Sequence, residues 1–336
     1  SQKNLGRSML IVGIIGAGNM GRAHANACKT YGADIACVHD VQLSAATDLA
    51  KECGAKPFDG LEEFFAIPMD AVVIAAPPPV RIEPVSMACE RGIHLMIEKP
   101  PALTMSDGIE CLAHIEKSDI MAAVGFQLRY DALYEMMKDK LAGQEVHLVR
   151  TVCTIDYYLN FGMSPWFLQS EISGGPIAEQ AIHLLDSVRY MFGDVRAVQA
   201  HALAAKNMAY DRDEFDAENS IQMTYELDNG VFGTHLNHCG CEGFSFDMEM
   251  IGPHLRLAAN LATGRVVGFM NGEPVDESSK PGSLGLDKTG AWLRAIETSI
   301  PELIRSPFSD ALHTLALVEA AVDSRGTGRF VQIKHS

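Results

Sequence analysis

The sequence predicts two folds in succession, an N-terminal α/β domain on a parallel sheet and a C-terminal α+β domain on a large, mainly antiparallel open sheet. Three observations predict this. Short apolar runs alternate with helically spaced stretches through the first part of the chain, and a glycine-rich turn joins the first run to the first helix. From about Glu145 strand-like runs instead follow one another, joined mostly by short turns. At 336 residues the chain also exceeds the size at which one core usually keeps growing. Domains at 9–128 and 129–336 are therefore expected, with the last helices able to pack back on the first domain.

The first-domain strands are expected at Leu10–Ile15, Asp34–His39, Ala71–Ala75, His94–Ile97 and Met121–Gly125, with helices such as Met20–Tyr31 and Ser44–Cys53 between them. These strands are nearly all apolar, as a parallel sheet covered on both faces requires. Gly16-Ala17-Gly18-Asn19-Met20-Gly21 follows the first strand and opens the first helix. In that setting G-x-G-x-x-G is the dinucleotide fingerprint of a Rossmann domain, with pyrophosphate expected on the helix N-terminus. The second strand ends at Asp40, 19 positions after Gly21, where a carboxylate can accept from ribose hydroxyls and repel a 2′-phosphate. No Arg or Lys occurs in Val41-Gln42-Leu43-Ser44, so NAD is favoured over NADP. The alternative reading of Asp40 is a cap for the next helix.

In the second half, strands are expected at Glu145–Ile155, Val195–His201, Ser220–Glu226, Val231–Cys239, Phe244–Ile251 and His254–Ala259, with Asp228-Asn229-Gly230 as a hairpin turn. A helix is expected after Gly174-Gly175, with Pro176 in its first turn. On it Glu179, His183 and Asp186 fall at i, i+4 and i+7, a polar stripe on an otherwise apolar helix. Such a stripe is costly unless hydrogen-bonded or facing a wet pocket. A lone histidine there is by itself more often a satisfied core group than a functional one.

Apolar residues make up 47% of the chain and charged ones 21%, which is globular usage without a disordered tract. A net charge of −16 with scattered cations argues against nucleic acid and acidic membranes as partners. The run Met9–Ile15 is too short to span a bilayer or to form a signal-peptide core, and residues before Met9 read as a ragged start. Eight dispersed cysteines suit reduced thiols in a cytoplasm. No solenoid repeat is visible.

Two segments lie at the carboxyl edge of the expected parallel sheet, Ala76-Pro77-Pro78-Pro79 and Glu98-Lys99-Pro100-Pro101. Open α/β sheets bind ligands at that edge. Glu98-Lys99-Pro100 after a dinucleotide fingerprint resembles the glucose-fructose oxidoreductase, inositol dehydrogenase and rhizopine-catabolism family. The likeness continues through Val124-Gly125-Phe126-Gln127-Leu128-Arg129-Tyr130, through Gly174 to Asp186, and through Ile304 to Leu312. Two departures stand out. Glu179 replaces the Asp usual four positions before the histidine, and Arg81 stands where members often carry His.

The resemblance maps the family lysine onto Lys99 and implies subunit pairing through the second sheet as a homodimer or homotetramer. It also implies hydride transfer between NAD and a secondary alcohol of a sugar, sugar acid or cyclitol. Oxidising such an alcohol needs a base for the hydroxyl proton and positive charge near the developing alkoxide. His183 suits the first role and Lys99 the second, with Glu179 as a third catalytic candidate, orienting His183 or touching substrate. Asp186 reads equally as a supporting group or a surface acid. Cofactor contacts are expected from Gly16, Gly18, Asn19, Met20, Gly21, Asp40, Ala76, Pro77, Pro78, Glu98, Lys99 and Gln127. Substrate contacts are expected from Lys99, Arg129, Tyr157, Tyr158, Asn160, Trp166, Glu179 and His183. His235, His238, Cys239 and Cys241 invite a metal reading, but on a strand His238 points away from the other three, so no metal is expected. Two alternatives to a dehydrogenase remain, an NAD-dependent glycosidase using transient oxidation and a catalytically silent dinucleotide or sugar sensor.

Overall fold

A computed structural model describes residues 9–156, 165–203, 216–279 and 286–334. The candidate positions Tyr157, Tyr158 and Asn160 lie outside the described residues. The chain runs β1 (Ile11–Ile15), α1 (Asn19–Thr30), β2 (Asp34–His39), α2 (Leu43–Cys53), β3 (Lys56–Phe58), α3 (Leu61–Phe65), β4 (Ala71–Ile74), α4 (Ile82–Glu90), β5 (His94–Ile97), α5 (Met105–Glu116) and β6 (Ala122–Val124). It continues with α6 (Ala132–Leu141), β7 (Leu148–Thr154), α7 (Ser170–Ser173), α8 (Ile182–Phe192), β8 (Val195–Leu203), β9 (Ser220–Leu227) and β10 (Phe232–His238). The remainder is β11 (Ser245–Gly252), β12 (Leu255–Asn260), β13 (Arg265–Met270), β14 (Glu273–Ser278), α9 (Leu286–Thr298), α10 (Phe308–Thr327) and β15 (Val331–Gln332). No helix among the described residues is long and apolar enough to cross a membrane.

The chain forms two compact units that a single cut at 128/129 does not separate. One holds the described residues of Ser1–Glu98, Ile109–Gly125 and Gly285–Phe308, the other those of Lys99–Gly108, Phe126–Leu284 and Ser309–Ser336. The late helix α9 joins the first unit because Trp292 and Leu293 are buried with Val12, Ile35, Leu49 and Val73 in one apolar core. Beyond α9, Ser306 bonds to Val124 through both its carbonyl and its hydroxyl, at 2.9 and 2.6 Å, and so occupies the edge of β6.

The sheet of the first unit has order β3-β2-β1-β4-β5-β6, parallel throughout. This is the doubly wound order, with its switch point between β1 and β4. Sequence patterning missed β3, whose Lys-Pro-Phe run is too short and mixed to carry a strand signal.

The second sheet has nine strands in the order β14-β13-β12-β11-β7-β10-β9-β8-β15. Among the described residues only β7 and β10 of this sheet pair in parallel. The hairpin glycine Gly230 between β9 and β10 has φ +85°, a conformation open to glycine at little cost. Along these strands burial alternates: Val149, Thr151, Met223, Tyr225, His235, Met248 and Met250 are buried, while Leu148, Phe232, Leu236 and Phe269 on the opposite face are exposed. Tyr225 faces Gly233 across the β9–β10 pair, and a Cβ at Gly233 would meet its ring at 2.0 Å. His235 bonds Thr151 Oγ1 at 2.9 Å, and burial pulls its pKa down to about 3, so it sits in the sheet as a neutral core group.

A charge cluster lies inside the first unit. The Glu98 carboxylate, just past β5, receives Lys288 Nζ from α9 and His24 Nε2 from α1, the latter at 2.8 Å. His24 Nδ1 lies 2.9 Å from Thr289 Oγ1. Burial by itself would raise the Glu98 carboxyl, but the Lys288 charge and the His24 contacts hold it well below the ordinary range. Burial, then Lys288, lowers His24, so the imidazole is neutral, donating from Nε2 to Glu98 and accepting from Thr289 at Nδ1. Removing one member of such a buried pair strands the other charge. We expect Lys288→Met to cost about 3–5 kcal/mol in urea unfolding, and Glu98→Gln added to it to recover most of the loss. Equal stability of the single and double variants would show that the pair is not sealed from water.

Candidate active site

The three glycines after β1 serve different ends. Gly16 has φ +94°, and a Cβ there would lie 2.8 Å from the backbone of Ala75. At Gly21 a Cβ would fall 1.9 Å from Gly16 O, so this glycine lets α1 close onto the loop. Gly18 has φ −73° and nothing of the protein within 4 Å of a Cβ. Neither backbone strain nor internal packing requires glycine at that position. What remains is the approach of something from outside to the N-terminus of α1, which Asn19 and Met20 open as exposed residues.

Asp40 closes the same loop from the end of β2. Its carboxylate accepts from Ala17 N at 2.8 Å and from Gln42 N at 2.9 Å. Gly16 N donates to His39 O at 2.8 Å. Asp40 therefore shapes the glycine turn as well as offering carboxylate oxygens at the sheet edge. Beside it Val41 is 84% exposed, an uncharged neighbour that gives a 2′-phosphate no partner.

After β4, Ala76 and Pro77 lead into a 3-10 turn at Pro78–Val80. The following residue, Arg81, is buried, donates from Nε to Ala76 O at 2.8 Å and also bonds the Glu98 carbonyl. It thus laces together the chain segments beyond β4 and β5. The carboxylate of Glu98, expected near the cofactor, turns instead into the Lys288–His24 cluster. Adjacent residues at a strand end point to opposite sides, and the inward one was not distinguishable in sequence.

Lys99 begins the second unit, and its peptide bond to Pro100 is cis. Its ammonium donates to Glu179 Oε2 at 2.6 Å and to the Glu179 carbonyl at 2.8 Å. Both acceptors come from one residue because the helix does not begin as an α-helix. Ile177–Ala181 is a π turn, closed by Ile182 N donating to Ile177 O, and α8 follows with His183 near its start. Single π turns recur at functional sites. Gly174 and Gly175, at φ +75° and +72°, end α7 and redirect the chain into this turn. Glu179 and His183 are both buried. The Glu179 carboxylate grips Lys99.

Aromatic rings flank the group. Lys99 Nζ lies 6.0 Å from the Phe167 ring centre, and Trp166 packs on Phe167 at 5.2 Å within the 3-10 turn Pro165–Leu168. The Phe246 ring centre is 6.0 Å from that of His183.

Arg129 is not placed as an open substrate contact. It is buried, forms two bonds to Asp186 at 2.8 and 2.7 Å, and reaches Asp310 at 2.6 Å. Asp186 also accepts from Thr314 at 2.8 Å, so this acid ties α8 to α10. One turn on, Arg189 bonds Asp194 Oδ1 at 2.8 Å and Thr314 Oγ1 at 2.7 Å. Gln127 opens a 3-10 turn at Gln127–Tyr130. No cluster of three or more His, Cys, Asp or Glu able to hold a metal occurs among the described residues. Sequence reading missed His24 and Lys288, whose partner Glu98 lies far along the chain from each and leaves no local pattern.

Comparison with known proteins gives the family. Residues 10–126 match the oxidoreductase family with an NAD-binding Rossmann fold, and residues 130–257 match the GFO/IDH/MocA C-terminal domain. The chain belongs to this family of NAD-binding oxidoreductases. It is 29% identical over 242 residues to the D-glucoside 3-dehydrogenase of Escherichia coli K12, covering 69% of this chain and 68% of that protein. With the glucose-6-phosphate 3-dehydrogenase of Bacillus subtilis 168 it shares 24% identity over 304 residues, 87% of this chain and 86% of the other. A levoglucosan dehydrogenase solved with NADH has the same fold, with a TM-score of 0.86 over 98% of this chain and 100% of that one at 19% identity.

The residues of the first unit fit NAD. Gly18 and the α1 N-terminus would receive the pyrophosphate, and Asp40 the adenosine ribose. Gly18→Ala tests this directly, because the added methyl meets nothing in the protein. Thermal unfolding of the free protein should change by no more than about 0.5 kcal/mol, whereas NAD affinity measured by calorimetry should fall at least about tenfold. Unchanged NAD affinity would remove Gly18 from the cofactor site.

Proposed function

We propose that the protein oxidises a secondary alcohol of a sugar, sugar acid or cyclitol, with Lys99, Glu179 and His183 carrying the proton and charge. The observation that carries this reading is the Lys99 ammonium held at 2.6 and 2.8 Å by Glu179 on the turn that leads into His183. NAD, when bound, supplies the hydride acceptor. His183 takes the hydroxyl proton, and Lys99 supplies positive charge where the alkoxide develops. Glu179 keeps the Lys99 side chain from wandering. Trp166 and Phe167 beside Lys99 offer ring faces to the apolar side of a sugar or cyclitol. The relatives named above are dehydrogenases of glucosides and sugar phosphates, which favours net oxidation over a glycosidase or a silent sensor.

The assembly we favour is a homodimer or homotetramer that covers the exposed sheet face bearing Leu148, Phe232, Leu236 and Phe269. All eight cysteines are free thiols, which suits a reducing cytoplasm.

Lys99→Met and His183→Asn should each lower turnover on the best sugar or cyclitol found by at least about 100-fold. NAD binding by the same purified variants should persist, because Gly16, Gly18, Gly21 and Asp40 are untouched. Cooperative unfolding of each variant guards against simple misfolding. Near wild-type turnover in either variant would remove that residue from the proposed chemistry.

A further inference from the structure

An aromatic path leads away from His183. Phe246, on β11, lies 6.0 Å from the imidazole, with the two planes at 41°. Phe244, two residues earlier, lies 4.9 Å from Phe246 at an interplanar angle of 35°. Residues i and i+2 of an extended chain share a face, so the rings form a continuous tilted stack. Phe246 is buried, whereas Phe244 is 43% exposed. The path therefore starts at the proposed base and ends at solvent.

The reacting alcohol must meet the groups that move its proton, His183 and Lys99. Phe244 stands two ring-to-ring steps from that imidazole, at the exposed end of the stack. It can offer neither hydrogen bond nor charge, only an apolar face. That face suits the substituent carried by the reacting ring.

We propose that Phe244 and Phe246 form a subsite for the apolar aglycone of a glycoside, making a glycoside rather than a free sugar or cyclitol the preferred substrate. This rests on the oxidation proposed above. An aromatic aglycone stacks on Phe244 while hydroxyls of the sugar engage Lys99 and His183, and the glycosidic bond stays intact.

The test uses matched pairs of methyl and phenyl glycosides of glucose, galactose, mannose and xylose, with NADH formation followed in the whole protein. The phenyl member of the best pair should show the higher kcat/KM. Phe244→Ala should shrink the phenyl-to-methyl ratio by about 3- to 10-fold, the size of one aromatic contact, while Phe244→Tyr should keep it. Phenyl and methyl glycosides used equally well by the wild type, or a ratio untouched by Phe244→Ala, would overturn the subsite. So would oxidation of myo-inositol or free sugars with every glycoside inert, which leaves the oxidation itself standing. Absence of NADH formation with all of these compounds would overturn both.

Discussion

An ionised carboxylate shut away from water just past β5 organises the first unit. Glu98 is tolerable there only because Lys288 and neutral His24 satisfy it, and those partners come from α9 and α1. One residue thereby fastens two helices to the end of a central strand. Arg81 fixes the carbonyl of the same residue. Both its side chain and its backbone oxygen are thus held within the first unit.

In the second unit a different set of charges, buried except for Asp310, does the corresponding work. Asp186, Arg129, Arg189 and Asp310 bind α8 to α10 and to the turn at Gln127–Tyr130. Truncating Arg129 would leave the buried Asp186 carboxylate without its cation, so the orientation of α8 is strongly determined. The π turn before α8 then directs the side chain and the carbonyl of Glu179 to a single ammonium. His183 inherits its position from the same helix. In the proposed reaction these groups are held before substrate arrives, which is the condition for lowering a barrier by charge placement.

Much of this was legible in the sequence, for identifiable reasons. Gly16 to Gly21 could be read because its function depends on local backbone geometry, and Asp40 because it closes the neighbouring strand. Lys99 and His183 were legible through the family resemblance, since neither residue alone distinguishes a catalytic group from a structural one. The pairing of Arg129 with Asp186 could not be read, because a cation near a ligand edge looks alike whether it faces substrate or a buried acid. The π turn left no trace in the spacing, because Glu179 and His183 satisfy an α-helical interval equally well. Strands β13 and β14 escaped notice because Arg265–Met270 and Glu273–Ser278 lack clean alternation of apolar and polar residues. The place of α9 in the first unit depends on Trp292 and Lys288 meeting residues from the opposite end of the chain, which no local pattern encodes.

The central claim is that a carbon-bound hydrogen of a sugar or cyclitol moves to NAD while Lys99 and His183 handle the charge and the proton. The most direct measurement uses the substrate that reduces NAD fastest, prepared with deuterium on the carbon bearing the reacting hydroxyl, and analyses the recovered NADH by mass spectrometry. Transfer of the deuterium to NADH, with the keto product released, is the expected result. NADH without the label, or cleavage of substrate with no net reduction of NAD, would contradict it.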